Sequence, residues 1–403
     1  MTNDRFLQIH FLTSYAATLL NRDDAGMAKR LPFGGAVRTR VSSQCLKRHW
    51  RTAQDDHALA ALDGVEMSLR SRLIFQEKVA KPLMDEGLER HKVEAAVAAF
   101  QDQLLGSSAR AKKDKAAKGE TAVSLETNQV VILGWPEVRF IQEKVRGVVA
   151  GANTPEAAAK GVEALFKEEG KNMKALIAAA QRPAGLDAAL FGRMVTSDLL
   201  TRLDAAIHVA HAFTVHTQEL ETDYFSALDD LLQESGELGS AHINDSELTS
   251  GLFYGYVVVD VPLLVSNLTG CPQKEWSAAD RALAGQVVEN LLHLIASVSP
   301  GAKKGSTAPH ACAEMVLVES GNRQPRTLAN AFRHPVPLTG REDVRDAAMA
   351  QLGGYLKKYD AMYGAGETRR VSTMGEAAAL GDATPSSLNE LAQWTADRVR
   401  GVA

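Results

Sequence analysis

The sequence predicts an α+β protein in which one sheet is interrupted by two insertions. Three segments rich in β-branched and aromatic residues, 5–15, 205–216 and 251–261, are predicted strands although they lie far apart in the chain. Long alanine-rich amphipathic stretches separate them. Distant strands with helices gathered between them favour a common sheet with inserted helical parts. We therefore expect a palm carrying one large projection, 56–185, and one smaller projection, 217–250.

The first elements follow from local chemistry. Residues 36–41 alternate in character and predict a strand, which would place Arg38 and Arg40 on one face. Ser42 and Ser43 follow as the N-cap of a helix, and the next residues predict a helix over 43–55. In this helix an apolar arc lies beside a basic arc. The apolar arc holds Leu46, Trp50 and Ala53, and the basic arc holds Lys47, Arg48 and Arg51.

The remaining elements follow from periodicity and composition. Further predicted strands lie at 190–194, 315–319 and 370–373. Further predicted helices lie at 222–233, 278–298, 343–363 and 387–399. The insertion at 56–185 is expected to be helical, with a lysine-rich loop at 109–120.

The distribution of charge indicates one anion-binding segment. The formal net charge is −4, yet the window between Asp24 and Asp55 contains seven of the 45 lysines and arginines and none of the 49 carboxylates. A solvated face usually mixes both signs, whereas charge of one sign in one place attracts an anion. A basic strand leading into a capped, basic helix suits an extended phosphate backbone. An ordinary solvated charged face is the alternative.

Composition and missing motifs argue against several classes. The chain is 45% hydrophobic and 23% charged, as in ordinary globular proteins. Three scattered cysteines without a CxxC pair offer neither a thiolate zinc site nor a disulfide scaffold. No P-loop, GxGxxG, GxSxG or HExxH motif occurs, so no cofactor is predicted. Among three clustered histidines, a single strand would point His211 away from His208 and His216, which argues against a metal site.

No membrane or export segment is predicted. The most apolar stretch, 252–264, is shorter than the ~18 apolar residues that a membrane span requires. Gln8 and His10 interrupt the apolar N-terminal stretch, which favours a buried first strand over a signal peptide. The few, unpaired cysteines fit a reducing compartment, so we expect a cytoplasmic protein.

Four blocks of sequence occur in a defined order. They are Asn21-Arg22-Asp23-Asp24 with Phe33-Gly34-Gly35 and Arg40-Val41-Ser42-Ser43-Gln44; Gly192-Arg193-Met194; a run from His211-Ala212 to Ser250-Gly251-Leu252-Phe253-Tyr254; and Val298-Ser299-Pro300-Gly301-Ala302-Lys303. In this order they resemble the CasC family, the multi-copy backbone subunit of the type I-E CRISPR interference complex, Cascade. The similarity reaches from about residue 5 to about residue 335.

The resemblance implies an RRM-like (ferredoxin-like) palm sheet, with a helical fingers insertion at 56–185 and a thumb hairpin at 217–250. The palm would comprise 1–55, 186–216 and 251–403. The family relation also implies a non-catalytic subunit that polymerises along the guide RNA (crRNA) and presents it for pairing with target DNA in antiviral defence. Its partners would be the crRNA, target DNA through the guide, further copies of itself in a helical filament, and other Cascade subunits.

The resemblance also implies which residues contact RNA. Those holding phosphates and riboses would be Arg22, Lys29, Ser42, Gln44, Lys47, Arg48 and Arg51. Met194 would wedge against a displaced base, although a lone methionine more often packs in a core. Arg38 and Arg40 join the set from the basic strand itself.

Two alternative functions compete with RNA binding. An enzyme could hold a phosphorylated metabolite or nucleotide at the Arg38–Arg40 strand and the Ser43-capped helix. Its acid–base residues are missing, since the window holds no carboxylate and His49 is its one group that titrates near neutral pH. A purely structural interaction protein is the other alternative.

Overall fold

The computed structural model describes most of the chain in two compact units. The described residues are 3–106, 108, 124–179, 184–193, 200, 202–228, 240–339 and 342–402. The first unit comprises Met1–Leu62, Ile207–Val261 and Arg281–Ala403, and the second comprises Asp63–Ala206 and Pro262–Asp280. The protein is a mixed α+β protein, as predicted, and the expected loop at 109–120 lies outside the described residues.

The strands of the described chain form one large sheet and one small pair. They are β1 (Phe6–Thr18), β2 (Arg30–Phe33), β3 (Ala36–Val41), β4 (Leu69–Ser71), β5 (Val131–Leu133), β6 (Ile207–Val209), β7 (Ala212–Thr214), β8 (Glu219–Leu228), β9 (Ser240–Asp260), β10 (Ala313–Gly321), β11 (Thr368–Thr373) and β12 (Thr384–Pro385). The large sheet runs β12-β11-β10-β1-β9-β7-β3-β2, with β6 and β8 also paired to β9, whereas β4 pairs with β5. Only the β11–β12 pairing is parallel among these strands.

Helices of the described chain surround these strands. They are α1 (Ser43–Arg51), α2 (Lys81–Asp85), α3 (Arg90–Leu105), α4 (Trp135–Gly151), α5 (Pro155–Ala179), α6 (Leu186–Phe191), α7 (Val261–Thr269), α8 (Ala282–Ser297), α9 (Lys304–Thr307), α10 (Val344–Tyr363) and α11 (Leu388–Arg400). A π-helical segment lies at Phe75–Ala80, and 3-10 turns lie at Leu59–Ala61, Gln273–Ala278, Ala329–Phe332 and Ala377–Leu380. The predicted long helices at 278–298, 343–363 and 387–399 are confirmed as α8, α10 and α11.

β9 extends from the sheet into a two-stranded ribbon. It pairs with β1 mainly over 251–260 and with β8 over 240–250. We call β8 together with 240–250 the ribbon. The helix predicted at 222–233 is therefore wrong in its described part, and 229–233 lies outside the described residues. Thr222 and Tyr224 favour strands, and a helix there would leave 240–250 as an unpaired edge.

Two predicted strands differ from the structure. The strand predicted at 205–216 is split into β6 and β7, with Ala210 and His211 between them. The strand predicted at 190–194 begins as helix α6 instead. Gly192 ends this helix at φ 82°, a left-handed conformation that favours glycine.

The large sheet is held by apolar packing on its alternating positions. Leu352 and Leu356 of α10 join Leu12, Leu317 and Tyr254 of the central strands in one buried cluster. Helices α8 and α11 contact each other and β10. The sheet is therefore covered by helices rather than open to water, and its central strands are a rigid base for the elements at its β2–β3 edge.

A buried ionic network links β1, β10 and β11 inside this sheet. The Glu319 carboxylate accepts hydrogen bonds from His10 (3.1 Å), Arg326 (2.5 Å) and Arg369 (2.7 Å). Arg369 also donates to the Asp360 carboxylate at 2.5 Å. The side chains of His10 and Glu319 are 0% exposed. One carboxylate thus ties three strands and the 322–328 connection together.

The second unit has its own core. Helices α3, α4 and α5 and the π-helical segment enclose apolar residues that include Phe75, Phe100 and Ile141. Arg193 and Glu137 form a buried ion pair at 2.6 Å. The helical texture predicted for 56–185 is confirmed, with the short β4–β5 pair as an exception.

Candidate nucleic-acid interface

Helix α1 begins with a fixed cap at the β2–β3 edge of the large sheet. Ser42 Oγ accepts the Cys45 N–H at 3.3 Å, so Ser42 is the N-cap of the predicted Ser42–Ser43 pair, and Ser43 is the first residue of the helix. The Ser42 N–H donates to Asn21 Oδ1 at 3.0 Å. Leu46 and Trp50 are buried and anchor the predicted apolar arc. The helix start is therefore held from both sides, and the basic arc is left outside the core.

The preceding loop folds beside this helix start. Asp23 Oδ1 accepts the N–H groups of Ala25 and Met27, each at 3.0 Å, which closes a turn. The Lys29 N–H then donates to the Asn21 carbonyl at 2.9 Å. Arg22 pairs with Ala28 in an isolated β-bridge, and Ala28 is the residue before Lys29 in the sequence. We call residues 21–30 the basic loop, because it brings Arg22 and Lys29 to the helix start.

His211 joins the strand, the helix and the basic loop. Its Nδ1 lies 3.3 Å from both the Ser43 N–H nitrogen and Arg40 Nη1. Both partners are donors, so Nδ1 accepts and the ring proton is on Nε2. Partial desolvation lowers the pKa of His211, and the charges of Arg40 and Lys29 lower it further. The neutral histidine therefore bridges the Arg40 guanidinium and the Ser43 N–H. Sequence reasoning considered it only as a metal ligand.

The pKa of His211 gives a direct test of this arrangement. We expect its midpoint, followed by imidazole NMR, to lie below the ordinary value of 6.5, with the Nε2–H tautomer above it. Because the folded pKa is depressed, the stabilisation that the neutral ring gives is present above pH 6.5 and is lost as the pH falls towards the folded pKa. Lys29→Ala should raise the midpoint, because it removes one of the two charges that lower the pKa. A His211 midpoint above 6.5 would contradict the bridge.

Several cations lie close enough to act on the same groups. Burial raises the pKa of the Cys45 thiol, against the opposing fields of Lys29 and Arg48. Burial lowers the pKa of His49, and Lys304 and Arg48 add to that effect. These shared neighbours connect Lys29, Arg48 and Lys304 into one positive surface around α1. A raised thiol pKa makes Cys45 a poor nucleophile.

Arg38 is a correction to the predicted site. The strand does place it on the same face as Arg40, but Arg38 is 0% exposed. Its guanidinium donates to the carbonyls of Thr214 and Phe332, each at 2.9 Å, and burial lowers its pKa. Arg38 therefore fastens β3 to β7 and to the Ala329–Phe332 turn, and it cannot reach a phosphate.

Replacing Arg38 separates folding from binding. We expect Arg38→Met to lower the free energy of unfolding by about 3 kcal/mol, because two buried carbonyls lose their donor. Urea unfolding measures the loss. The salt dependence of RNA binding should stay as in the parent protein. Arg40→Met, at a half-buried position, should lower the salt dependence of RNA binding and change the free energy of unfolding little. If both variants changed the salt dependence of RNA binding equally, the burial of Arg38 would be contradicted.

A carboxylate from a distant part of the chain lies beside one cation of the basic window between Asp24 and Asp55. Glu247 of the ribbon accepts the Ala28 N–H at 2.6 Å and pairs with Arg30. Arg30 is therefore part of the support of the basic loop. The expectation that the window's cations lack any carboxylate partner fails at this residue, because Glu247 lies more than 200 residues away in sequence.

The other predicted site residues are placed as follows. Gln44 is exposed in the first turn of α1, where its Oε1 accepts the Ser43 hydroxyl at 3.3 Å. Lys47 and Arg51 are half-buried and Arg48 is exposed on the same helix. Met194 lies outside the described residues. The structure thus gathers the predicted residues 22–51 at one place, with Arg38 as the exception.

The remaining histidines do not form a metal site. His216 is buried, with Nδ1 donating to the Thr217 carbonyl at 2.7 Å and Nε2 accepting the Leu252 N–H at 3.1 Å. Among the residues that the structure describes, no group of three or more histidine, cysteine or carboxylate side chains could hold a metal ion. No helix in the described ranges is long and apolar enough to cross a membrane.

The arrangement is suited to a chain of phosphates. The start of α1 contributes the positive end of a helix dipole. Lys29, Arg40 and Arg48 surround it, and Lys304 extends the positive surface beyond the helix. The fold and this site define an α+β protein with an extended positively charged surface.

Comparisons with known proteins identify the family. The CT1975-like protein family model, Cas_CT1975, matches residues 7–396, and the chain belongs to this family of CasC-like proteins. A solved structure described as "CRISPR RNA-guided surveillance complex, pre-nicking" is similar with 24% identity and a TM-score of 0.74, covering 99% of this chain and all of that one. Another, "CRISPR RNA-guided surveillance complex", has 22% identity and a TM-score of 0.64 over the same shares. No curated protein matches the sequence.

Proposed function

We propose that this chain is a non-catalytic, crRNA-binding backbone subunit of a cytoplasmic type I-E Cascade surveillance complex. The observation that carries the proposal is the positive surface formed by the basic loop, β3 and α1. Family membership supports the same function, because structures of similar fold are described as parts of RNA-guided surveillance complexes.

The chemistry of the surface favours backbone binding over base recognition. Cations and helix N–H groups bind phosphates and fix the register of a nucleic acid, but carry no sequence information. A subunit of this kind leaves sequence recognition to pairing between the guide and the target DNA. The same contacts can therefore hold any guide, which suits a protein that works with many spacers.

In our proposal the chain is organised like a hand. Residues 1–55, 186–216 and 251–403 would be the RRM-like palm, 56–185 the helical fingers, and 217–250, which contain the ribbon, the thumb. Met194, in the segment beside Arg193, would press against a displaced base, as the family relation implies. Successive copies would use different surfaces head to tail, which produces an open helical filament whose length the guide sets.

The proposal is tested by purifying the protein with its partner subunits from cells that express a CRISPR array. We expect a particle with bound RNA of uniform length and a curved row of repeated protomers in electron micrographs. Nuclease treatment should release protomers. A particle that contains no RNA and resists nuclease would overturn the proposal. Saturable binding of a mononucleotide or sugar phosphate that RNA does not displace would favour the metabolite enzyme instead.

A further inference from the structure

A polar cavity adjoins the basic surface within the first unit. It has a volume of about 360 Å³, which is within the usual range for small-ligand sites. One wall is formed by His49 near the end of α1 and by residues 52–55 after the helix, and the other by residues 297–299 with Lys304 and His310. His49, Lys304 and His310 line it, together with Asp55 and the hydroxyl of Ser299. We call it the α1 cavity. None of these residues was predicted as a site residue.

The segment 298–312 is a closed loop with a defined shape. Ser299 Oγ donates to the Ala311 carbonyl at 2.9 Å and accepts the Ala311 N–H at 3.0 Å, which joins the two ends. The Ala302 N–H donates to the Leu19 carbonyl at 2.9 Å and fastens the loop to β1. Gly301 is required, because a Cβ there would lie 2.7 Å from Pro309 Cγ. The loop therefore presents Lys304 and His310 from a fixed scaffold.

One residue of this loop is strained. Ala308 has φ +41°, a left-handed conformation that alanine seldom adopts. The adjoining turn is tight, since the His310 N–H lies 2.6 Å from the Ala308 carbonyl. Such strain persists where the surrounding structure requires it, and it is concentrated at functional sites. Here the turn directs the chain back so that His310 lies at the cavity that Lys304 also lines.

His49 offers the cavity an acceptor. Its Nδ1 lies 2.8 Å from the Cys45 carbonyl, which can only accept, so Nδ1 carries the proton. Nε2 therefore holds a lone pair as long as the ring is neutral. Burial, with the charges of Lys304 and Arg48, lowers the pKa of His49 and keeps the ring neutral. Beside it, Lys304 supplies an exposed cation.

A hydrogen-bond acceptor beside a cation favours RNA over DNA. A phosphodiester needs positive charge, which Lys304 gives. A 2′-hydroxyl needs an acceptor for its proton, which Nε2 of His49 gives, and this hydroxyl is the group that distinguishes RNA from DNA. Asp55 also lines the cavity, but its Oδ1 already accepts the His57 N–H at 3.0 Å.

We propose that the α1 cavity is a ribose–phosphate subsite for one nucleotide of the guide, in which His49 accepts the 2′-hydroxyl and Lys304 binds the adjoining phosphate. This inference rests on the proposed RNA-binding function and adds a reason for selecting RNA over DNA. The cavity continues the positive surface, because Arg48 acts on His49 from α1 as Lys304 does from the loop.

The test uses one oligonucleotide sequence in three forms: RNA, DNA, and RNA with 2′-O-methyl groups. Fluorescence anisotropy with the full-length protein gives the affinity for each. The parent protein should prefer RNA, and His49→Phe should reduce the ratio of RNA to DNA affinity about fivefold, the value of one hydrogen bond. Lys304→Ala should weaken RNA and DNA equally. A tenfold excess of inorganic phosphate over protein should displace neither nucleic acid.

Matched controls keep the outcomes distinct. His334→Phe and Lys358→Ala change exposed residues of the same unit and should leave both affinities as in the parent. If the parent protein binds RNA and DNA equally, or His49→Phe keeps the parent ratio, the subsite is wrong while RNA binding stands. If the parent binds no RNA, the proposed function fails as well. The comparison of RNA with DNA on the parent protein tests the subsite even if His49→Phe does not fold.

Discussion

Replacing Lys29 and Arg48 together by alanine is expected to lower the affinity for single-stranded RNA about tenfold at ~0.15 M salt. Both cations lie within reach of the half-buried Cys45 at the start of α1, one from the basic loop and one from the helix. Each phosphate contact on a single strand contributes about 0.7 to the slope of log K against log salt, so the slope should fall by roughly 1.4. Anisotropy titrations from low to high salt measure both quantities.

A control pair tests whether position matters more than net charge. Lys357 and Lys358 are exposed on α10, away from the basic surface, and their double replacement removes the same total charge. This variant should keep the parent slope. Equal slopes for the two double variants would mean that RNA is attracted by overall charge only, and the proposed interface would be wrong.

Removing the charge of Glu319 is expected to have the largest effect on stability. Glu319→Gln leaves Arg326 and Arg369 without their shared carboxylate inside the sheet, and we expect a loss of about 3 kcal/mol in the free energy of unfolding. Asp382 contacts the same Arg369 at 3.0 Å, but its side chain is 65% exposed. Asp382→Asn should therefore cost less than about 0.5 kcal/mol. Chemical denaturation of the three proteins measures the difference.

The difference in the free energy of unfolding between the parent protein and Glu319→Gln should depend on pH in a defined direction. Burial alone would raise the pKa of Glu319, but the hydrogen bonds from His10 and Arg326 outweigh it and hold the pKa well below the ordinary value of 4.5. The stabilisation is therefore fully present above pH 4.5 and is lost as the pH falls from there towards the folded pKa. The gap between parent and Glu319→Gln should narrow only below pH 4.5. A gap that narrows between pH 8 and 6 would contradict this assignment.

Local chemistry was sufficient to predict the helix that carries the site. The Ser42 cap and the Leu46–Trp50 stripe depend on residues within one or two turns of each other, so they can be seen in the sequence. The central strands were also predicted, because both faces of a covered sheet are apolar. These elements define where the basic loop and α1 must lie.

Features made by distant contacts could not be predicted in this way. Arg38 is unavailable to an RNA phosphate because its guanidinium donates hydrogen bonds to carbonyls 176 and 294 residues away in the sequence. Periodicity missed strand β8, because the apolar spacing of 222–233 fits a helix as long as its partner strand is unknown. The resemblance, in contrast, implied a hairpin over 217–250. His211 contacts Arg40 and Ser43 because it lies in the break between β6 and β7. The sequence predicted one continuous strand over 205–216, so this break and its contacts were not expected.

Glu247 has a mechanical consequence for the ribbon and the basic loop. It belongs to the ribbon, is 4% exposed, and holds the backbone of Ala28 as well as the side chain of Arg30. A movement of the ribbon at its base must therefore either break the Arg30–Glu247 ion pair and the hydrogen bond to Ala28, or move the basic loop with it. Because the Lys29 N–H donates to the Asn21 carbonyl and Asn21 Oδ1 accepts the Ser42 N–H, the same contacts connect the ribbon to the start of α1.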